Sequence, residues 1–488
     1  MEEFIARGSE VLVVGGGRSG LSAANLAADL GAKVSVVDDD SGSFSTADWE
    51  RFRSRGGHIL GDRTIGPWIR ESPCRVVMSP GIPPLRWSGE VVAPPLAHVR
   101  GELEWAASLW PHPVIAIAGT NGKSTTTALV GHLLSAVGHA PFIGGNFGTP
   151  LSEGVRQVLK SGGHSPYDCG VIEVSSFQTE SMQAFSPSLY LLLNITPDHL
   201  DRYGDYDVYR EAKLRAVSLF GEKTTVIWNG DQEDYRTGRR RGGAKAAFVT
   251  HSERLPSSFG EAPVVRIHPD RLEISGIGGV SSGWQISTRN FRLSGGGNLE
   301  NLGFSVLAVI LFLRGRGQQI PLPLLEQGIA SFTGLPHRME RIATVRGVTF
   351  VNDSKATNVG AVEAALAGLP DSGRPTTVLI LGGRDKGGSY LPLVPGIRRH
   401  VKEVVVLGEA REKIRRELSP HVPVEAASDF QEAVARAFSI ADPGGTVLLS
   451  PACSSYDMFH GYEERGERFR EAVMRLEEQF GEKGRQGS

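Results

Sequence analysis

Two glycine-rich loops stand where a strand gives way to a helix, and each has the make-up to bind phosphate. The run Gly119-Thr120-Asn121-Gly122-Lys123-Ser124-Thr125 carries the richer chemistry. Its glycines let backbone N–H groups curl around phosphate oxygens. The following helix N-terminus adds the positive end of a dipole, and Lys123 neutralises charge. The Ser124 hydroxyl is placed to ligate Mg²⁺. The loop is shorter than the usual phosphate loop, whose leading glycine would fall where Ile117 stands. An ordinary glycine-rich turn is the bland alternative, and Gly-Lys-Ser-Thr between a buried strand and a helix argues against it. The other loop, Gly15-x-Gly17-x-x-Gly20 with Asp38 about 20 residues on, has the spacing of a dinucleotide fingerprint. Alone it would suggest an oxidoreductase. Glycines at a helix N-terminus, however, do not distinguish NAD from any other nucleotide diphosphate.

The elements that must position these loops read as alternating strands and helices. A β-run at Val11–Val14, a helix over Leu21–Leu30 and a strand at Lys33–Val37 make a βαβ unit, which predicts a parallel sheet. Pro94–Pro95 and Pro111–Pro113 mark the exit from this first region. Val114–Ala118 is the strand before the second loop, and further strands end at Glu173 and at Asn194. The Gly-rich interval 230–297 holds weak alternating patterns, expected to form small strands or an insertion. Tyr209–Arg215 and Asn298–Leu313 read as helices. After the Gly334–Pro336 turn, strands at Thr349–Asn352, Thr377–Leu381, Glu403–Leu407 and Thr446–Leu449 alternate with helices. The fold class expected is α/β in three domains: a Rossmann-like domain over 1–110, a phosphate-loop domain with a mainly parallel sheet over 111–334, and a second Rossmann-like domain over 335–488.

Composition excludes several functions. With 52 basic and 54 acidic residues the net charge is −2, so nothing draws the chain electrostatically to nucleic acid or an acidic membrane. The short run Arg239–Arg241 reads as a solvated loop. Cys74, Cys169 and Cys453 are too few and too scattered for a disulfide frame or a zinc site, and they fit a reducing cytoplasm. The acidic N-terminus is no secretory signal, and no apolar run reaches the ~20 residues of a membrane span. A cytoplasmic monomer acting on small molecules is the expectation.

The second loop resembles the ATP loop of the muramyl ligases and of their relative folylpolyglutamate synthase. Glu173-Val174-Ser175-Ser176-Phe177-Gln178 is similar to that family's E-x-S-S-F-Q, and Asn194-Ile195-Thr196-Pro197-Asp198-His199-Leu200-Asp201 to its N-x-x-x-D-H-x-D. Pro336-His337-Arg338-Met339-Glu340 resembles its P-H-R-x-E. Asp353-Ser354-Lys355-Ala356-Thr357-Asn358 and Ser450-Pro451-Ala452-Cys453-Ser454-Ser455-Tyr456-Asp457 resemble stretches of the branch that adds D-glutamate to UDP-N-acetylmuramoyl-L-alanine.

The resemblance implies an ATP-dependent, amide-forming ligase of peptidoglycan precursor synthesis, working through an acyl phosphate. It implies two Mg²⁺ ions, held by Ser124 and Glu173 and by His199 and Lys213, with Lys213 carrying a carbamate formed with CO₂. Lys123, His199 and Lys213 become the catalytic set. Thr120, Asn121, Gly122 and Thr125 join the ATP site with Asn298, Asn301, Arg338 and Asp353. The UDP substrate is expected at Gly15, Gly17, Ser19, Asp38, Ser79 and Gly81, with Asn146 on its muramoyl-alanyl part. D-glutamate is expected at Lys386, Thr357, Ser455 and the backbone of Tyr462, where the family has Phe. Lys386 would meet the side-chain carboxylate as a point charge and Thr357 as a hydroxyl. Two departures stand out. Asp39-Asp40 replaces a Thr-Arg pair, so uridine binding must differ in detail, and Gly297 replaces a His before Asn298. The alternatives are another amino-acid ligase of the family or a nucleotide-dependent oxidoreductase.

Overall fold

A computed structural model describes residues 4–38, 44, 46–60, 75–82, 98–234, 238, 241–253, 261–277, 283–293, 295–369 and 373–481. Asp39-Asp40, Cys74, Pro94–Pro95 and Arg239-Arg240 lie outside the described residues. The chain divides into two compact units. One comprises Met1–Ile195, Arg210–Asn290 and Leu302–Ala330, and the other Thr196–Tyr209, Phe291–Asn301 and Ser331–Ser488.

The first unit holds two sheets. Strands β1 (Glu10–Val14), β2 (Lys33–Val37), β3 (His58–Ile59), β4 (Arg75–Met78) and β5 (Val99–Gly101) pair in parallel in the order β3-β2-β1-β4-β5. β1 is apolar on both faces because helices cover both sides of such a sheet. Its order reverses beside β1, and that crevice is where parallel sheets bind ligands.

The second sheet runs β14-β13-β12-β11-β10-β9-β6-β8-β7. Its strands are β6 (Val114–Ala118), β7 (Pro141–Gly145), β8 (Cys169–Glu173), β9 (Leu189–Leu192), β10 (Thr225–Asn229), β11 (Lys245–Thr250), β12 (Val264–Ile267), β13 (Arg271–Ser275) and β14 (Trp284–Ser287). The pairing is parallel except across β12/β13 and β13/β14. The weak strands expected between 230 and 297 therefore extend this sheet, in parallel through β12 and antiparallel beyond it. Its switch point lies at β6, between β9 and β8, so the second glycine loop leaves the sheet where a ligand crevice must open. β9 ends two residues before the expected Asn194. The carbonyl of Asn194 accepts the Thr120 N–H at 2.9 Å, which takes it out of the ladder. Arg241, in the run read from sequence as a solvated loop, makes a solvent-exposed two-pronged pair with Glu211 at 2.7 and 2.8 Å.

The second unit holds the sheet β15-β16-β20-β17-β18-β19, of strands β15 (Glu340–Val345), β16 (Val348–Asn352), β17 (Thr377–Gly382), β18 (Val401–Leu407), β19 (Val424–Ala426) and β20 (Thr446–Leu449). Only β15/β16 is antiparallel. Three loops that carry expected site residues leave the C-terminal ends of the adjacent strands β16, β20 and β17. The helix Gly296–Gly315 is long and apolar enough to span a membrane, but 67% of its apolar window is buried, as in a core helix.

Candidate active site

The second glycine loop is shaped by its neighbours. Gly119 has φ +144°, and a Cβ there would sit 3.1–3.3 Å from Leu193 and the Asn194 backbone. Gly122 enters the helix Lys123–Ala136 in the left-handed region at φ +82°. Both positions need glycine. Asn194 clamps the loop from the next strand's end. Its Oδ1 accepts the N–H groups of Thr120 (3.2 Å) and Asn121 (2.8 Å), and its Nδ2 donates to the Asn121 carbonyl at 3.1 Å. Lys123 Nζ donates to the Thr120 carbonyl at 2.8 Å.

One buried carboxylate gathers the rest. Glu173, 3% exposed, receives the Ser124 hydroxyl on Oε2 at 2.5 Å and the Asn146 amide on Oε1 at 2.7 Å. The chain leaves Glu173 through a capping box that explains the S-x-x-Q spacing. Ser175 Oγ accepts the Gln178 N–H at 3.2 Å, and Gln178 Oε1 accepts the Ser175 N–H at 2.9 Å. The short helix so begun, Ser176–Glu180, bonds through Thr179 to the Ala212 carbonyl at 2.8 Å. That contact seats the helix Tyr206–Arg215, whose Lys213 is 2% exposed and donates to the Gly119 carbonyl at 2.7 Å. Lys123, Ser124, Glu173, Asn146 and Lys213 thus meet around one loop. Oxygen donors of this kind suit Mg²⁺, which takes few protein ligands and completes its shell with phosphate and water. Among the described residues no group of three or more His, Cys, Asp or Glu could cage a metal alone.

The first glycine loop is built by packing and backbone. Gly15 has φ +103°, and a Cβ on Gly20 would lie 1.7 Å from the Gly15 carbonyl oxygen. Asp38 accepts the Gly16 N–H, the Trp49 indole donates to the Gly16 carbonyl at 3.1 Å, and buried Ser79 donates to the Gly15 carbonyl at 3.4 Å. Gly17 and Gly81 are open, with nothing within 4 Å of a built Cβ. Ser19 lies half-buried in the first turn of the helix Arg18–Asp29. The neighbouring Arg18 donates to the Gly148 carbonyl at 2.9 Å, which ties this loop to the Gly144–Gly148 turn carrying Asn146. Asn146 in turn reaches Glu173.

In the second unit, Arg338 sits between two residues in left-handed conformation, His337 (φ 62°) and Met339 (φ 48°). Asp353 accepts the Met339 N–H at 3.2 Å and the Ser450 hydroxyl at 2.8 Å, and burial pushes its carboxyl up to about 7. Asn301 Nδ2 donates to Asn298 Oδ1 one turn back at 3.4 Å. Asp198 joins three expected elements. Its Oδ1 accepts the His199 N–H at 2.9 Å, Asn358 Nδ2 donates to its Oδ2 at 3.0 Å, and Lys386 Nζ lies 3.9 Å away. Thr357 precedes the Asn358 cap of the helix Val359–Ala367. Ser455 is buried, and Lys355 Nζ sits 3.7 Å from the centre of the Tyr462 ring.

Several working residues escape a reading by motif alone. Asn194 and Asp198 belong to a recognisable run, yet spacing gives no hint that one clamps the phosphate loop and the other gathers Asn358 and Lys386. Arg465, fully buried, ties together two loops that carry expected site residues, through Ser354 and the Cys453 carbonyl at 2.8–3.1 Å. Only its place in an otherwise polar helix start could have drawn attention to it.

Comparison with known proteins fits this geometry. The Mur ligase middle domain pattern matches residues 117–309, and the Mur ligase, glutamate ligase domain pattern matches 337–453. A match to the alanine dehydrogenase/PNT C-terminal domain covers only 5–50, around the first glycine loop. The UDP-N-acetylmuramoylalanine–D-glutamate ligase of Geobacter metallireducens is 37% identical, over 96% of this chain and 98% of its own. The protein of that name from Anaeromyxobacter dehalogenans is 39% identical, over 95% and 97%. Among solved structures, a pseudomurein peptide ligase type C from Methanothermus fervidus superposes with TM-score 0.59 at 17% identity, covering 96% of this chain and all of that one. The MurF ligase of Thermotoga maritima in complex with ADP gives 0.56 at 16% identity, covering 98% and 100%.

Proposed function

The chain belongs to the Mur ligase family, among its UDP-N-acetylmuramoylalanine–D-glutamate ligases, and we infer that the second glycine loop carries its phosphoryl transfer. The enzyme is an ATP-dependent ligase that adds D-glutamate in peptidoglycan synthesis. The observation that carries the site assignment is Glu173, whose two oxygens hold Ser124 of the phosphate loop and Asn146 of the loop tied to the first glycine turn.

In the reaction we assign to these residues, backbone N–H groups of 119–125 and Lys123 take the ATP phosphates. Ser124 and Glu173 would hold one Mg²⁺, and His199 with Lys213 as its carbamate a second. The metal, when bound, supplies charge neutralisation during phosphoryl transfer. Asn146 orients the L-alanyl carboxylate of the acceptor, which attacks the γ-phosphorus to give an acyl phosphate and ADP. Lys386 and Thr357 hold the side-chain carboxylate of D-glutamate, while Ser455 and the Tyr462 backbone hold the α-carboxylate. Its amine attacks the acyl carbon and phosphate leaves. Gly15, Gly17, Ser19, Asp38, Ser79 and Gly81 are assigned to the UDP group, and Asn298, Asn301, Arg338 and Asp353 to ATP. The open face at Gly17 and Gly81 supports the former. We propose domains over 1–110, 111–334 and 335–488, each holding one of the three sheets, in a monomer that works in the cytoplasm.

Purified protein is incubated with ATP, Mg²⁺, UDP-N-acetylmuramoyl-L-alanine and a panel of amino acids. D-glutamate alone is expected to yield ADP, phosphate and ligated product. Preferential use of another amino acid would move the chain to a different branch of the family.

A further inference from the structure

Tyr390 lies on none of the stretches assigned to a substrate, yet its hydroxyl sits between two that are. The loop after β17 carries Lys386, and the loop after β20 carries Ser455. They run side by side. The Gly382 N–H donates to the Pro451 carbonyl at 2.9 Å, and the Arg384 N–H to the Ser454 carbonyl at 2.9 Å. The approach is so close that a Cβ on Gly383 would lie 2.2 Å from the Ser454 oxygen. Lys386 itself occupies the middle of a turn in which Asp385 Oδ1 accepts the Gly387 N–H at 3.2 Å. The same Oδ1 accepts the Tyr390 hydroxyl at 3.1 Å, and Oδ2 takes Lys413 Nζ at 2.8 Å. On its other side the Tyr390 oxygen lies 3.1 Å from Cys453 Sγ. Cys453 is fully buried and two residues before Ser455, and Tyr390 is 2% exposed.

We propose that Tyr390 is a positioning residue for the amino-acid substrate. Its hydroxyl fixes the turn that presents Lys386 against the loop that presents Ser455, and so sets the spacing at which two carboxylates of one small molecule are received. The proposal rests on the assignment of Lys386 and Ser455 to D-glutamate. The Tyr390 hydroxyl and Cys453 are buried and Asp385 is half-buried, so solvent competes less for this bridge than for the same bridge at a fully exposed site. The rest of Tyr390 is ring, packed in the core with Leu379, Leu393 and Ala356. Phe keeps that packing and removes only the bridge. The substrate's side-chain and α-carboxylates are separated by a fixed number of methylenes, so a loosened spacing costs the correct substrate more than a shorter homologue.

Tyr390→Phe and Lys386→Ala are compared in steady-state kinetics. Tyr390→Phe is expected to raise the KM for D-glutamate by roughly tenfold, as for loss of a hydrogen bond to a charged group. The KM values for ATP and the UDP substrate should stay within about twofold, and the preference for D-glutamate over D-aspartate should shrink. If the KM for D-glutamate is unchanged, or all three rise together, Tyr390 has no positioning role. Lys386→Ala separates the two assignments. Should it leave the KM for D-glutamate unchanged, the substrate assignment itself falls, and this proposal with it. Should it raise that KM while Tyr390→Phe does not, only the positioning role is lost.

Discussion

The two glycine loops of the first unit start from the same backbone device and end in different chemistry. Each follows the strand at the switch point of its sheet, where its neighbours pair in parallel, and each turns through a positive-φ glycine into a helix N-terminus. Around the first, the partners are chiefly backbone and packing: Asp38 and Trp49 on Gly16, Ser79 on Gly15, and Gly20 against the Gly15 carbonyl. Around the second, reactive side chains converge: Lys123, Ser124 on Glu173, and Lys213 on the Gly119 carbonyl. A helix N-terminus with glycines suffices to hold a diphosphate that stays intact. Breaking a phosphoanhydride needs charges that act where charge develops. The short match to a dehydrogenase domain over 5–50 follows from this, since it reports the shared backbone device and nothing of the chemistry.

The sharpest way to break the comparison is Lys123→Ala. Its ammonium bonds a loop carbonyl and packs nothing into the core, so the fold should survive. Phosphoryl transfer should fall by about 10² or more, as for loss of one contact to developing charge. Wild-type turnover of ATP to ADP in this variant would remove the second loop from the reaction. A large but partly reversible loss is expected for Lys213→Ala. The proposed carbamate presents an anionic oxygen to Mg²⁺, so added acetate should restore part of the rate, crudely, because Mg²⁺ demands near-octahedral geometry. Lys213→Arg should not be rescued, since its guanidinium stays cationic and fills the space. Full activity of Lys213→Ala without acetate would return this lysine to a merely structural bond with Gly119.

Both loops were legible from sequence because a glycine pattern between a strand and a helix is a local signal. Strands β16, β17, β18 and β20 of the third sheet were legible for the same reason, apolar runs of strand length punctuated by helices, whereas the edge strands β15 and β19 were not read from sequence. What spacing could not convey was the pairing of distant segments. The patterns at Val264–Ile267 and Arg271–Ser275 read as strands, but only tertiary contact makes them an extension of the sheet that carries the phosphate loop. Asn194 reads as a strand end, yet its side chain serves a loop more than 70 residues earlier. The same holds for Asp198, whose partners Asn358 and Lys386 come from a different sheet's loops, and for Tyr390, an aromatic whose ring belongs to the core and whose oxygen does not. Residues that act on a substrate fall into short runs. Residues that hold those runs in place are scattered, because packing chooses them by proximity in space.

The first loop offers the finest test of the comparison, because two of its glycines are needed for different reasons. At Gly20 a Cβ would meet the Gly15 oxygen at 1.7 Å and the Gly15 carbonyl carbon at 2.9 Å. Backbone cannot yield as a flexible side chain would, so Gly20→Ala must push the helix Arg18–Asp29 off β1. Overpacking of this kind costs about 1–3 kcal/mol, visible as a lower Tm, with a raised KM for the UDP substrate as a consequence. Gly17 is the opposite case. Its φ of −71° is open to any residue, and nothing lies within 4 Å of a built Cβ. Gly17→Ala should therefore change stability by no more than about 0.5 kcal/mol. If the diphosphate of the UDP substrate approaches the backbone there, the added methyl occupies its space, and the KM for that substrate rises while the KM for ATP does not. An unchanged KM for the UDP substrate at normal Tm would mean that Gly17 faces water in the complex, and the diphosphate would have to be placed elsewhere on this loop.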